Sequence, residues 1–357
     1  MIIDIVKVIT PAALAFFIGM LITPILTHYL YKHKLWKMRS TSVATDGRPA
    51  PISQKLHADE TKRTPRMGGI VIWASAFLTI MGIWTLSKIF PTEITQKLDF
   101  LSREQTWIPF FTLIVGSLVG LVDDFLEVSG RGGHIAGGLS LKKRLITVSA
   151  IALFVGWWFF EKLEVSAIGI PFWGELELGM LFIPFFILVA LAIYSGGVID
   201  GIDGLSGGVF AAIFSAYAGI AFYQQQINLA AFSAMIVGAI LAFLWFNIPP
   251  ARFYMSETGM MGLTITLTTV AFMTDTLGGG HGVFVLPIIA LPLIATSLSS
   301  SIQLASKKFR NGRKVFLVAP LHHHFEAKGW PGYKVTMRYW IVSAVTAVIG
   351  TIIALIG

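Results

Sequence analysis

Ten apolar segments, each about 17 to 24 residues long, follow one another along the chain and constrain its fold more than any other feature. A helix rises 1.5 Å per residue, so a segment of this length can cross the roughly 30 Å of hydrocarbon in a bilayer. The sequence therefore predicts an all-α, polytopic membrane protein that forms a single domain over residues 1–357. The segments cover residues 8–31, 68–90, 106–126, 144–160, 179–198, 204–223, 228–247, 259–276, 283–305 and 337–356.

Composition agrees with this prediction and removes several classes of chemistry. Hydrophobic residues make up 55% of the chain and charged residues 13%, whereas a soluble domain carries about 25% charged residues. Without any cysteine, the chain has no disulfide, zinc thiolate or thiol nucleophile. The net charge of +8 lies mainly in loops that border the membrane, so we do not expect nucleic acid as a partner.

The basic residues divide unequally between the two sides of the predicted membrane. Of the 27 Lys and Arg residues, 22 lie in or beside the connections after segments one, three, seven and nine. Because basic residues in short loops stay in the cytoplasm, this pattern predicts that both termini are outside and the odd-numbered loops inside. The first segment is predicted to be a retained span and not a signal peptide, since Lys7 is the only basic residue before it.

Acidic residues cluster where the segments end on the predicted cytoplasmic side. Asp123 and Asp124 close the third segment, Asp200 and Asp203 lie three residues apart in a glycine-rich turn, and Glu257 lies where a helix is predicted to begin. Acids are costly at this depth, so such residues are candidates for function. Simpler alternatives are solvated helix ends for the paired aspartates, helix packing for the glycines, and capping for Glu257.

Three adjacent histidines, His322, His323 and His324, interrupt a basic stretch near the end of the chain. Imidazoles can donate to phosphate oxygens or ligate a metal. Acids that bind a divalent metal, together with cations, are the groups that handle a diphosphate. An oxygen-rich set without cysteine suits Mg²⁺ or Mn²⁺ better than zinc. The residues therefore favour a membrane enzyme that acts on a phosphorylated lipid at the cytoplasmic leaflet.

Four motifs of the sequence resemble those of the phospho-N-acetylmuramoyl-pentapeptide transferase family. The run Lys314–Pro331, which contains Ala-Pro-Leu-His-His-His-Phe-Glu-Ala-Lys-Gly-Trp-Pro, is similar to the family's histidine motif over its whole length. Thr64-Pro-Arg-Met-Gly-Gly resembles Thr-Pro-Thr-Met-Gly-Gly, Asp123–Asp124 the paired aspartates, and Asp200-Gly-Ile-Asp-Gly-Leu the sequence Asp-Gly-Leu-Asp-Gly-Leu. The motifs occur in the family's order, and the resemblance covers essentially the whole chain.

The resemblance implies a reaction in which undecaprenyl phosphate attacks the β-phosphate of UDP-N-acetylmuramoyl-pentapeptide and UMP leaves, with Mg²⁺ as cofactor. It implies a multi-pass protein of the bacterial inner membrane, in peptidoglycan synthesis, with a homodimer as the suggested assembly. It assigns catalytic roles to Asp123, Asp124, Glu257 and His323, of which the three acids are also the expected Mg²⁺ ligands. The expected substrate contacts are Lys62, Arg66, Lys142, Lys143, Asp200, Asp203, Asn247, Tyr254, Gln303, His322 and His324.

The sequence departs from the family pattern near the expected metal site. Glu127 stands where the family usually has Lys, Glu257 where it has Asp, and Tyr194 and Gly197 match two Asn. Glu127 adds a third negative charge beside the paired aspartates, which requires a nearby cation. We therefore predict an ion pair between Glu127 and Arg66, which replaces a Thr of the family pattern; the alternatives are Arg131, Lys142 and Lys143.

Two other functions remain open at this point. One is a related enzyme that uses UDP-N-acetylglucosamine or another UDP-sugar. The other is a transporter or non-catalytic membrane protein of the same fold, which the changes at Glu127 and Glu257 would favour. Transporters usually carry internal repeats and charged residues near the midplane, and neither is visible in the sequence.

Overall fold

The computed structural model describes residues 2–36, 64–102, 104–130 and 138–357, and most of them are helical. The helices are α1 (Ile2–Lys32), α2 (Ile70–Ile89), α3 (Glu93–Leu98), α4 (Trp107–Val128), α5 (Leu141–Lys162), α6 (Phe182–Ser195), α7 (Leu205–Tyr223), α8 (Ile227–Asn247), α9 (Ser256–Met273), α10 (Gly282–Ile289), α11 (Leu291–Phe309), α12 (Leu321–Ala327) and α13 (Gly332–Ile356). Strands β1 (Ala167–Ile170) and β2 (Gly174–Glu177) form an antiparallel hairpin that the sequence did not predict. Short 3₁₀ turns occupy Gly179–Leu181, Gly196–Ile199 and Thr276–Gly278.

Each of the ten predicted apolar segments is helical, but fewer than ten of them have the properties of a membrane span. Among the described residues, eight helices are long and apolar enough to cross a bilayer. Helices α10 and α11 would form a ninth span if the pair, bent by 70°, crosses as one unit. The all-α, polytopic class is therefore confirmed, and the prediction of ten spans is only partly met.

Helix α9 is the segment that falls short, because it is surrounded by protein. Nearly every residue from Thr258 to Met273 is buried, including five threonines. Their hydroxyls find partners inside the bundle: Thr264 donates to the Met260 carbonyl at 2.7 Å and Thr269 to the Ile265 carbonyl at 2.9 Å. A helix that contacts other helices on every side does not need the apolar surface that lipid demands.

The ninth predicted segment is broken at Ala290. Pro292 lies at the start of α11, and proline has no N–H to donate and clashes with the carbonyl four residues earlier. Proline is a common cause of a sharp change in helix direction. The bend of 70° between α10 and α11 follows from this position.

Small residues bring α4 and α9 into close contact and so position the acidic residues. A side chain at Gly116 would begin 2.9 Å from the Cα atom of Gly262, and one at Gly120 would overlap the Glu257 carbonyl. Glycine permits this distance because it has no Cβ, as is common where membrane helices cross. The crossing places Asp123 and Asp124, at the end of α4, beside the start of α9.

Candidate functional site

Asp124 is held at the N-terminus of α9. Its carboxylate accepts hydrogen bonds from the backbone N–H of Glu257 at 3.2 Å and of Thr258 at 2.9 Å, and from the Thr258 hydroxyl at 2.5 Å. These backbone N–H groups have no partner within the helix, so an acid beside them is stabilised. Asp124, which is fully buried, therefore acts as a cap supplied by a different helix.

Asp123 and Glu257 lie on opposite sides of one guanidinium group, that of Arg144. Nη2 of Arg144 is 2.8 Å from Oδ2 of Asp123; the two groups form an ion pair, but their relative orientation does not meet hydrogen-bond geometry. Nη1 of Arg144 donates a hydrogen bond to Oε1 of Glu257 at 2.5 Å. The three residues come from α4, α9 and α5. One cation thus joins three helices at the acidic end of the bundle.

The remaining oxygens of these two carboxylates also have partners. Oδ1 of Asp123 accepts the backbone N–H of Leu139 at 2.5 Å. Oε2 of Glu257 accepts the hydroxyl of Tyr194, at the end of α6, at 3.1 Å. Tyr194, which matches an Asn of the family pattern, is therefore part of the site and orients Glu257.

The predicted ion pair between Arg66 and Glu127 is confirmed, with Nη1 of Arg66 2.9 Å from Oε2 of Glu127. Arg66 is held in place through its backbone, because its N–H donates to the Leu35 carbonyl at 2.8 Å. The adjoining segment pairs with Tyr254, whose N–H donates to Pro65 and whose carbonyl accepts from Gly68. Tyr254, a predicted substrate contact, thereby positions the loop that carries Arg66.

Asp200 and Asp203 belong to one turn but hold different parts of the chain. Asp200 accepts hydrogen bonds from the Ser206 hydroxyl at 2.7 Å and the Ser256 N–H at 2.8 Å, and Asp203 accepts the Ala251 N–H at 2.9 Å. Burial raises the pKa of Asp200, while these hydrogen bonds and the charge of Arg66 oppose the shift. The turn is therefore joined to the start of α9, next to Glu257.

The three histidines lie on the short helix α12 and face different surroundings. His322 is fully buried, and neither of its nitrogens has a hydrogen-bond partner in the described part of the chain. A side chain at Gly201, beside Asp200, would begin 2.6 Å from Nε2 of His322, so the ring lies against the Asp200 turn. Burial lowers the pKa of His322 well below its ordinary value, and the neighbouring His323 adds to the shift.

The other two histidines have protein partners. Nδ1 of His323 lies 2.6 Å from Oε2 of Glu326, and Nδ1 of His324 accepts the Leu317 N–H at 3.1 Å. Gln303, on α11, accepts the N–H groups of Val315 and Phe316, each at 3.0 Å. These contacts hold α12 and the segment before it against the bundle.

Asn247 is buried and binds two backbone groups. Its carbonyl accepts the Gly204 N–H at 3.0 Å, and its amide donates to the Phe253 carbonyl at 2.8 Å. The first bond reaches the turn that contains Asp203, and the second reaches the loop before α9. Its contacts position loops around the site.

Three predicted cationic contacts are not among these groups. Lys62 lies outside the residues that the structure describes, as does Arg131. Lys142 and Lys143 are exposed on α5, whereas their neighbour Arg144 enters the acidic cluster. Sequence reasoning missed Arg144, although a signal existed: Arg144 lies four residues before Val148, on the helical face that α5 buries.

The expected Mg²⁺ does not fit the three acids as they are arranged here. Within residues 2–36, 64–102, 104–130 and 138–357, no group of three or more histidine or acidic side chains is placed to hold a metal ion. Asp124 is engaged with α9, and the Arg144 guanidinium lies between Asp123 and Glu257. Mg²⁺ ligands lie about 2.1 Å from the ion, so the guanidinium would have to leave before these two carboxylates could share it.

Comparison with known proteins places this arrangement in context. The family model for Glycosyl transferase family 4 matches residues 106–275, the part of the chain that carries the paired aspartates, the Asp200 turn and Glu257.

Curated relatives match over nearly the whole chain. A phospho-N-acetylmuramoyl-pentapeptide-transferase from Anoxybacillus flavithermus is 32% identical over 345 residues, which cover 95% of this chain and 95% of the relative. The protein of the same name from Chloroflexus aggregans is 30% identical over 366 residues, 99% of this chain and 91% of the relative. That from Listeria innocua is 30% identical over 349 residues, 96% and 97% of the two chains.

Proposed function

The chain belongs to the phospho-N-acetylmuramoyl-pentapeptide transferase family, and from this premise we propose the reaction that it performs. It transfers phospho-N-acetylmuramoyl-pentapeptide from the UDP-linked donor to undecaprenyl phosphate and releases UMP, in peptidoglycan synthesis. The observation that carries the proposal is the similarity to these relatives over nearly the full length of both chains. The structure supports the proposal because it brings the family's motifs together at one end of the bundle: the Arg66 loop, the paired aspartates, the Asp200 turn, Glu257 and the histidine helix.

The reaction exchanges one phosphoanhydride bond for another. An oxygen of the lipid phosphate bonds to the phosphorus that carries the sugar, and the bond between the donor's two phosphates breaks as UMP leaves. A phosphomonoester has a second pKa near 6, so the nucleophile is already mostly ionised at pH 7 and needs no strong base. Electrostatic stabilisation and positioning are then the main contributions of the protein.

The groups at the acidic end can make these contributions. Arg66 and Arg144 supply positive charge, and each is fixed by a carboxylate at 2.9 Å or less. His322 lies fully buried against the Asp200 turn, and its lowered pKa keeps the ring neutral at pH 7. Imidazole and guanidinium groups held in place before the substrate arrives cost no reorganisation during the reaction.

Several finer points of the proposal follow from the family resemblance alone. They are a location in the bacterial inner membrane with the acidic end in the cytoplasm, assembly as a homodimer, and dependence on Mg²⁺. The eight candidate spans found in the described part of the chain support a multi-pass membrane protein. Asp123, Asp124 and Glu257 as they are arranged do not fit Mg²⁺, so an ion that the reaction needs would have to be held by groups other than these three acids.

One assay tests the proposed function. Purified protein is incubated with undecaprenyl phosphate and either UDP-N-acetylmuramoyl-pentapeptide or UDP-N-acetylglucosamine, and UMP release is followed. We expect release with the muramoyl donor and much less with the other. Equal or reversed turnover would move the protein to the related UDP-sugar transferases, and no release with either donor would favour a non-catalytic relative.

A further inference from the structure

The contact of Arg144 with two acids is the feature of the site that the proposed function leaves unexplained. The guanidinium uses one terminal nitrogen for Asp123, at 2.8 Å, and the other for Glu257, at 2.5 Å. A planar fork of this kind suits two carboxylates at once. Because arginine stays protonated in proteins, the positive charge between the two acids is permanent.

The surroundings of the two acids leave little room for a second cation. Asp123 is fully buried, and its other oxygen accepts the Leu139 N–H. The other oxygen of Glu257 accepts the Tyr194 hydroxyl. Each carboxylate therefore presents to the shared space between them only the oxygen that faces Arg144.

Charge balance gives this contact a physical purpose. Asp123, Asp124, Glu127 and Glu257 gather where three helices meet, and carboxylates this close repel one another unless cations lie between them. Arg66 forms an ion pair with Glu127, and Arg144 forms ion pairs with both Asp123 and Glu257. A buried pair that loses one partner leaves an uncompensated charge, so Arg144 should be hard to displace.

We propose that Arg144 is the resident cation of this site, held between Asp123 and Glu257 in the place where a divalent metal ion would be shared, so that these two carboxylates do not bind such an ion. This role rests on the proposed function: the guanidinium contributes positive charge toward the donor's diphosphate. About a fifth of the Arg144 side chain is accessible, which leaves a face that an anion can approach.

The test is a metal titration without substrate. Full-length protein in detergent, stripped with EDTA and dialysed, is titrated with Mn²⁺ alone, and the free ion is followed by electron paramagnetic resonance. We expect wild type to bind no Mn²⁺ at this site. Arg144→Met keeps the apolar stem but removes the charge, and we expect it to gain one Mn²⁺ per chain. That gain should vanish when Asp123→Asn or Glu257→Gln is added.

A matched control separates the site from net charge. Lys143→Met removes one positive charge from the neighbouring, exposed position and should bind no more Mn²⁺ than wild type. Arg144→Gln, which also removes the charge but keeps a polar side chain, serves if Arg144→Met does not fold, and it too should gain one Mn²⁺ per chain; thermal melting checks the folding of both variants.

Two results would overturn the inference. The first is a wild-type protein that binds one Mn²⁺ and loses it with Asp123→Asn or Glu257→Gln, because Arg144 would then move aside for the metal. The second is a folded Arg144→Met protein that gains no Mn²⁺ site. Since the titration uses no substrate, absence of UMP release under every condition would count against the proposed function alone.

Discussion

Nη1 of Arg66 lies 2.9 Å from Oε2 of Glu127, and the pair connects the loop before α2 to the last turn of α4. Glu127 is 6% exposed and Arg66 26%, so the acid is far less hydrated than its partner. The two residues sit beside Asp123 and Asp124, where a further unpaired acid would be repelled. Their identities therefore belong together, and a change at one should need a change at the other.

This coupling can be measured with a double-mutant cycle on Arg66 and Glu127. Arg66→Ala should destabilise the protein because it leaves the buried Glu127 carboxylate without that cation. Adding Glu127→Ala should recover much of the loss, with a coupling energy of about 1–3 kcal/mol. Thermal midpoints in one detergent give the comparison. Additive effects of the two single changes would show that the pair contributes nothing.

Asp123 and Asp124 should differ in what they do, although they are adjacent. Asp124 accepts the backbone N–H groups of Glu257 and Thr258, so Asp124→Ala should lower the thermal midpoint, with a loss of about 0.5–2 kcal/mol typical of a helix cap. Asp123→Asn loses the ion pair with Arg144, but the guanidinium keeps Glu257 as a partner, so the change should reduce UMP release more than stability. Equal midpoints for the two variants would contradict the capping role.

Ser256 adopts a left-handed backbone conformation, with φ +58°. A non-glycine residue in this region costs about 1–2 kcal/mol. The buried Ser256 hydroxyl also has no hydrogen-bond partner among the described residues. Ser256→Gly should therefore raise the thermal midpoint, because the relieved strain exceeds the backbone entropy cost of glycine, which is about 0.5–1 kcal/mol.

Ser256→Ala is the matched control, since it removes the hydroxyl and keeps the Cβ. If backbone strain dominates, the Ala variant should be less stable than the Gly variant. If the buried hydroxyl dominates, the two variants should be equally stable. A Gly variant less stable than wild type would show that the strain at Ser256 costs less than the backbone entropy that glycine adds to the unfolded chain.

The sequence predicted the parts of this protein that depend on local pattern. Hydropathy located all ten helical segments, and the need to neutralise Glu127 identified Arg66 as its partner. The first argument used only length and polarity, and the second used charge together with the replacement of a family Thr by Arg66. Such quantities are fixed by the residues themselves and do not require the packing to be known.

Features that depend on packing were missed. Helix α9 is too polar for lipid, and only its burial by other helices explains why it is stable there. The hydrogen bonds of Asp124 depend on how close α4 and α9 approach, which the glycines allow but do not specify. Arg144 was passed over in favour of Lys142 and Lys143 because a run of three cations was not divided by helical face.

Asp275 should make stability depend on pH at the end of the bundle opposite the site. Its carboxylate accepts the N–H groups of Gly169 at 2.6 Å and Val283 at 2.8 Å, joining the β-hairpin to α10. Burial raises its pKa from 3.8 to about 6, against opposing hydrogen bonds and the charge of His281. The folded state thus binds a proton between about pH 4 and 6 that the unfolded state has released. Stability should fall as pH rises through this window, by up to about 3 kcal/mol, and level off above it.

Asp275→Asn is the control for this effect. Asparagine does not titrate, so the melting temperature of the variant should lack the decline between pH 4 and 6, even if its overall stability is lower. Parallel curves for the two proteins would show that other groups cause the dependence.

An apolar groove of about 570 Å³ runs along α5, with Lys142 among its lining residues and Ile187 of α6 at one side, and it suits the chain of the lipid substrate under the proposed function. Leu153 lines this groove, so Leu153→Trp should fill it and raise the KM for undecaprenyl phosphate by about tenfold, or ~1.4 kcal/mol. The KM for the UDP-linked donor should stay unchanged, because the donor is polar and does not need this surface. Leu188→Trp makes the same change at an exposed leucine of α6 that does not line the groove, and it should leave both constants as in wild type. Steady-state UMP release at varied lipid and varied donor measures both constants. A rise in both, or equal effects of the two tryptophans, would mean that the lipid chain binds elsewhere.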